Sequence, residues 1–303
     1  MRIFERSLPA LVRDLWVAAR PFSLSLALYS TSVPAALAFR AGLVPGEAPC
    51  LGLLRLLLVT AAGLSVQAAT NLINDHFETG QRVGPAPSKL YRFLGQERGA
   101  FDILVFFSGL ACFGFTALVG LYLALTTSLA LFAVGAIGLV GGYCYTGEPV
   151  VYKRFGLGAL LSFVLLGPLM NFGAWLGLGG AASFGPVLAS LPVSLLIPAM
   201  MFANEIRDVE RDAALGIRTA TVRMGRRAGQ ALYDALLVLS FLLAPANAAL
   251  GLVPPAALAS LAALPLAFRA RARAAAGRSD MIPATNLLHL VFGALYAAGI
   301  VLG

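Results

Sequence analysis

The sequence predicts an all-α integral membrane protein with about nine transmembrane helices in one bundle and its N-terminus in the cytoplasm. Three observations carry this. Of the 303 residues, 59% are hydrophobic and only 12% charged, against about a quarter charged in soluble domains, and the mean hydropathy is +0.85. Nearly charge-free apolar runs recur from Phe22 to Gly303, and a helix needs ~20 such residues to cross a bilayer core. The runs are continuously apolar, unlike the ~10-residue alternating strands of a membrane barrel. Finally, all but two of the 22 basic residues fall on one side of the alternating connections.

The N-terminal segment carries Arg2, Glu5, Arg6, Arg13, Asp14 and Arg20, which leaves no uninterrupted apolar core for a cleavable signal peptide. Leu11, Val12, Leu15 and Trp16 share a helical face, so residues 1–21 are expected to form an interfacial arm anchored by Trp16. Spans are then expected at 22–40, 53–74, 101–125, 127–146, 157–180, 186–206, 229–250, 253–268 and 284–302. Outside connections are short and bland ("GLVPGEAPC", "LTTS", "APANAALGLVP"), whereas two cytoplasmic loops, 75–100 and 204–228, are long and charged. No hydrophilic domain interrupts this pattern, so residues 1–303 are expected to form a single transmembrane domain.

Basic residues set the orientation. They occupy the N-terminal arm, the connections after spans two, four and six, and the one after span eight, while only Arg40 and Arg55 border the opposite side. The excess marks the cytoplasmic face. Topology thus accounts for most of the +8 net charge, and nucleic acid is not an expected partner; the lipid bilayer is. Cys50, Cys112 and Cys144 are scattered without a CxxC, and His76 and His289 make no zinc-ligand spacing. Met200 and Met201 read as helix packing, and Asn171, Asn286 and His289 as interhelical hydrogen-bonding groups.

Against this apolar background the acids are concentrated. Asn71, Asp75 and Glu78 share one helix face, and Asn204, Asp208 and Asp212 share another, with Glu205 and Glu210 close by. Six of the 14 acids stand in these two segments. Clustered carboxylates repel unless a cation intervenes, and near a bilayer they mark function. Carboxylate and amide oxygens suit Mg²⁺, which bridges to substrate phosphates. Lys153, Arg154, Arg207 and Arg218 could neutralise the remainder of a diphosphate. Acids near helix ends also suit an ion-coupled transporter, although these gather on one side rather than at mid-span.

"NLINDHFE" and "NEIRDVERDAALGIRTATVRMG" resemble the two Asp-rich motifs of the UbiA superfamily of intramembrane prenyltransferases. "ARPFSLSLALYSTSVPAALAF" and "YTGEPVVYKRFGLGALLSFVLLGP" extend the resemblance over nearly the whole chain. "RVGP", "GLG" with "LLGP", and "GIRTATVRMG" look most like the menaquinone-type branch, whose members attach a polyprenyl chain to 1,4-dihydroxy-2-naphthoate. The resemblance implies a central cavity opening to the cytoplasmic side, and a polyprenyl diphosphate and an aromatic acceptor as substrates. It implies Mg²⁺, two ions, held by Asp75, Glu78, Asp208 and Asp212, with Asn71 and Asn204 orienting them. It also implies that Lys153, Arg154, Arg207, Arg218 and Arg82 bind the departing diphosphate or the acceptor, and that Tyr145 and Thr146 face the substrates. A prokaryotic inner membrane is the expected location. One departure matters: many members carry a third acid in the first motif, where this chain has "TGQRVGP". Glu205 or Glu210 is then a substitute ligand, or the first site binds metal more weakly. A hydroxybenzoate or another phenol remains an alternative acceptor.

Overall fold

The computed structural model describes residues 7–78 and 90–303 and is helical almost throughout. Helix α1 (Leu8–Ala18) precedes α2 (Leu24–Arg40) and the long α3 (Pro49–Phe77). A small antiparallel hairpin, β1 (Leu90–Phe93) and β2 (Gln96–Gly99), leads into α4 (Ala100–Thr126) and α5 (Ala130–Cys144). Then come α6 (Gly158–Val164), α7 (Met170–Gly177), α8 (Gly185–Ser194), α9 (Leu196–Ala214) and α10 (Ala220–Met224). The chain closes with α11 (Arg226–Ala249), α12 (Leu264–Ala275) and α13 (Met281–Leu302).

Among the described residues, seven helical stretches are long and apolar enough to cross a membrane. Every expected span has a helical counterpart, but two fall short. The fourth is α5, of 15 residues. The eighth is a 3-10 stretch, Pro255–Ala263, that runs into α12. Pro254, Pro255 and Pro265 each withhold a backbone N–H, and Arg269 and Arg271 end the apolar run soon after. The fifth span is α6 and α7 joined by one π turn, Leu165–Leu169. Pro168 lies in that turn; its ring cannot sit against the carbonyl of Val164 in a regular helix. Pro198 similarly sits four residues past Ser194, where α8 gives way to α9 at Leu195.

The two long charged loops begin later than expected. Helix α3 runs to Phe77, and α9 runs to Ala214 before Gly216 takes a positive φ of 70° and the amide of Ile217 bonds back to Asp212. The acids therefore stand on the last turns of helices, which hold side chains at fixed angles, rather than in loops. Residue 82 lies outside the described residues.

The molecule is apolar outside and partly polar within, as a bilayer requires. Leu118, Val140, Leu242 and Phe268 are all more than half exposed, while Gln67, Asn71, Asn171, Ser190, Asn247 and Thr285 are buried. Some of these polar groups bond across helices: Asn247 donates to the carbonyls of Leu188 and Ala189, and Tyr233 pairs with Thr285 at 2.8 Å. The α8–α9 stretch is the most enclosed span. It packs with α11 and α13 around Tyr233, Phe292 and Tyr296, all fully buried.

Candidate active site

One cavity of ≈ 860 Å³ has the last turns of α3 and α9 in its wall. Asn71, Asp75 and Glu78 line it from α3, and Asn204, Glu205, Asp208 and Asp212 line it from α9. The helical spacing puts each set on one face, and the two faces meet across the same space. Tyr145, Lys153 and Arg207 also line it. Of the remaining sequence-derived candidates, Thr146 is buried outside the lining, and Arg154 and Arg218 are exposed away from it.

Cations already hold most of these acids. Lys153 Nζ donates to Glu78 at 2.5 Å and lies 5.8 Å from the centre of the Tyr145 ring. Arg207 donates to both oxygens of Asp208, at 2.7 and 2.6 Å. Arg211 donates to Asp208 at 3.0 Å and to Asp212 at 3.4 Å. Glu205 is engaged differently: its carboxylate accepts the backbone N–H of Thr221 at 2.8 Å, tying α9 to α10. Glu210 pairs with Arg226, is 74% exposed, and stands outside the cavity.

Amides set the frame around the acids. Asn71 donates to the carbonyl of Ala19 at 2.8 Å and to Ser23 Oγ at 2.7 Å, fixing the entry to α2 against α3. Asn204 donates to Met200 O in its own helix. Tyr145 and Tyr152 meet edge to face at 5.5 Å, and burial pushes the Tyr152 hydroxyl above its ordinary range, so it stays a neutral phenol.

Several lining residues were not singled out from the sequence. Arg20 lines the cavity with a left-handed backbone, φ 52° and ψ 67°, a conformation that costs a non-glycine residue energy and is typical of functional positions. The signal was an arginine placed directly before a proline at the start of the first span. Met200 and Met201 pack between helices as expected, against Leu26 and Ile197, and also line the cavity. Asn171 and Asn286 do bond across helices, to Ser194 and from Ser25. His289, expected to hydrogen-bond between helices, is fully buried, meets the Tyr29 ring edge to face, and has no hydrogen-bond partner among the described residues.

The donor set suits a hard cation. Carboxylate and amide oxygens from two helices face one space, with no thiol or imidazole among them. Among the described residues no three acidic, histidine or cysteine side chains form a closed metal cage. Magnesium is commonly held by one or two carboxylates with substrate phosphates and water completing its shell, and the arrangement fits that mode.

Away from the acids the lining turns apolar, with Val59, Leu131, Phe132, Val134 and Leu169. A cavity charged at one end and greasy along its length matches a long, headed lipid. A family model described as the UbiA prenyltransferase family matches residues 101–299.

The chain belongs to the UbiA prenyltransferase family.

It is a membrane prenyltransferase. The UbiA match begins after the first acidic cluster and contains the second. A relative from Mycobacterium tuberculosis, 1,4-dihydroxy-2-naphthoate octaprenyltransferase, is 32% identical over 266 residues, covering 82% of this chain and 85% of that one. The UbiA prenyltransferase domain-containing protein 1 of Mus musculus is 28% identical over 309 residues, covering 99% and 88%. Among solved structures, a UbiA homolog from Aeropyrum pernix K1 matches with a TM-score of 0.63 at 20% identity, over 91% of this chain and 96% of its own. A UbiA homolog from Archaeoglobus fulgidus bound to Cd²⁺ matches with a TM-score of 0.57 at 14% identity, over 93% and 97%. These structures share the UbiA fold with the chain.

Proposed function

We propose that the protein transfers a polyprenyl group from its diphosphate to 1,4-dihydroxy-2-naphthoate, with Mg²⁺, in a prokaryotic inner membrane. The observation that carries this is the two-ended cavity, with acids and cations at its mouth and an apolar arm beyond. The acceptor follows from the name of the Mycobacterium tuberculosis relative; the Cd²⁺ in the Archaeoglobus fulgidus homolog supports a cation site in this fold.

Asp75, Glu78, Asp208 and Asp212 are the groups that would hold Mg²⁺, with Asn71 and Asn204 setting the helix ends that present them. When bound, the metal neutralises the diphosphate and makes it a better leaving group. Lys153, Arg207 and Arg211 exchange partners during the cycle. They neutralise carboxylates in the free protein and turn to diphosphate oxygens as charge builds there. The bond between C1 of the prenyl chain and the diphosphate oxygen breaks, and its electron pair leaves with the diphosphate. Tyr145, with its ring beside this space, shields the allylic cation. An electron-rich ring carbon of the acceptor then attacks C1, and the ring regains aromaticity by losing a proton or, at a carboxylated carbon, carbon dioxide. Glu205 is the preferred substitute for the missing third acid, since it lines the cavity.

We also infer nine membrane crossings, with the N-terminus and the cavity mouth in the cytoplasm. The Glu78–Lys153 pair supports this: with α4 crossing outward, a returning α5 brings the two side chains to one side. The Arg271–Asp234 pair at 3.1 Å supports a like return of the 3-10 stretch and α12 after α11.

The test is the mass of the product. Purified protein with Mg²⁺, octaprenyl diphosphate and a panel of aromatic acids should yield a prenylated naphthoate-derived product and no prenylated hydroxybenzoate. Chelation with EDTA should stop turnover. Full activity in chelator, or a product only from hydroxybenzoate, would refute the corresponding half of the assignment.

A further inference from the structure

We infer that Gly120 and Gly135 are the positions that set how long a prenyl tail the cavity accepts; this rests on the prenyl-transfer reading above. Glycine inside a membrane helix ordinarily lets a neighbouring helix approach. Several lining glycines do that: a Cβ on Gly63 would meet Thr31 at 2.7 Å, one on Gly142 would meet Thr70 at 2.9 Å, and one on Gly173 would meet Val134 at 2.9 Å. Gly120 and Gly135 do not. Both line the cavity, and a Cβ on either would meet nothing within 4 Å. Neither has a positive φ that would demand glycine. Glycine within a helix is unfavourable relative to alanine, so packing and backbone geometry both leave these two residues unexplained. Open space is what they provide.

Their position fits a tail. Helices α4 and α5 run antiparallel through the short turn 127–129, and Gly120 and Gly135 lie at similar distances from that turn, hence at one depth. Tyr145 stands at the mouth, ten positions beyond Gly135 in the sequence, or ~15 Å at the helical rise. At this depth Leu121 and Phe132 line the cavity from the same two helices and are 44% and 47% exposed. A geranyl tail ends before this level, whereas an octaprenyl tail has to pass it. A side chain at either glycine would stand in the path of the longer tail and leave the diphosphate end untouched.

The experiment uses the full chain in liposomes with Mg²⁺ and 1,4-dihydroxy-2-naphthoate, comparing geranyl and octaprenyl diphosphate. Gly120→Leu and Gly135→Leu should lower the octaprenyl-to-geranyl ratio of kcat/KM by at least about tenfold, with geranyl transfer within about twofold of the unmodified protein. Gly114→Leu is the control. Gly114 is exposed on α4, a Cβ there also meets nothing within 4 Å, and it is absent from the cavity wall. An unchanged ratio in both variants, or an equal shift in Gly114→Leu, overturns the inference. If the unmodified protein transfers neither chain, the prenyl-transfer reading fails on its own. The same ratio is then read from binding of the unreactive geranyl and octaprenyl thiolodiphosphates, with the same criterion.

Discussion

Glu205 and Glu210 stand five positions apart on one helix and meet different worlds. Glu205 faces the cavity and accepts the amide of Thr221, while Glu210 reaches outward to Arg226. Helical spacing predicts this divergence, since Glu210 lies about 200° around from Asp208 at 3.6 residues per turn. Glutamine at 205 keeps an oxygen for the Thr221 amide but removes the charge. Glu205→Gln should therefore fold normally and raise the Mg²⁺ needed for half-maximal rate by about tenfold, while Glu210→Gln stays within about twofold. A Mg²⁺ titration of both variants checks this, with Asp208→Asn as the expected full loss. Equal titrations would leave Asp75 and Glu78 as the whole of the first site. The acids were legible in the sequence because charge is rare in this chain and its helical spacing can be counted. Arg20 and Arg211 were not singled out, because basic residues are plentiful on this side and sequence does not say which of them turn inward. Arg154 and Arg218, adjacent to the right segments, turn outward for the same unreadable reason.

At the scale of elements, the last turn of α3 is held by an aromatic clasp that the sequence did not announce. His76 is buried beside Asp75; its Nδ1 donates to the carbonyl of Asp102 at 2.7 Å, since a carbonyl can only accept. Phe77, Phe93 and Phe106 surround its ring at 5.1, 5.8 and 4.9 Å. Phe93 belongs to β1, so the hairpin is pinned to the ends of α3 and α4. These contacts join residues distant in sequence and follow no periodicity, which is why only the helices on either side could be read in advance. The π turn at Leu165–Leu169 had a local cause in Pro168, yet a proline alone does not say whether a helix kinks, bulges or ends. The clasp makes a prediction. Phe93→Ala should destabilise by less than the ~3–5 kcal/mol of a fully buried Phe→Ala, because Phe93 is only half-buried. It should also loosen the helix end carrying Asp75 and Glu78. Amide hydrogen exchange over 90–99 should accelerate while α11 and α13 stay protected, and the Mg²⁺ requirement should rise. Unchanged exchange in the hairpin would mean that the clasp is held from elsewhere.

For the whole molecule, the number of crossings joins the ion pairs to the orientation. Among the described residues, seven helical stretches satisfy length and hydropathy alone. Two shorter segments divide the possibilities: if both or neither cross, the ends of the chain lie on opposite sides, and if only one crosses they lie on the same side. The proposed arrangement, in which both cross, rests on the Glu78–Lys153 and Asp234–Arg271 pairs. Helix α5, ~22 Å long at 1.5 Å per residue, is shorter than the ~30 Å hydrocarbon core; in the proposed arrangement local thinning and its flanking apolar turn residues would accommodate it. Cysteine accessibility tests the arrangement directly. Cys50 is exposed at the start of α3, whereas Cys112 and Cys144 are partly buried within or at the end of their helices. A membrane-impermeant maleimide added to intact cells should label Cys50, which nine crossings place outside. In a background lacking Cys50, Arg278→Cys, between α12 and α13, should react only after permeabilisation, and a cysteine at Gly303 should react without it. If Arg278→Cys and Gly303→Cys react from the same side, α13 does not cross as inferred. If Cys50 is protected until permeabilisation while Arg278→Cys is labelled, the basic excess has been assigned to the wrong face, and the cavity mouth with its acids opens outward.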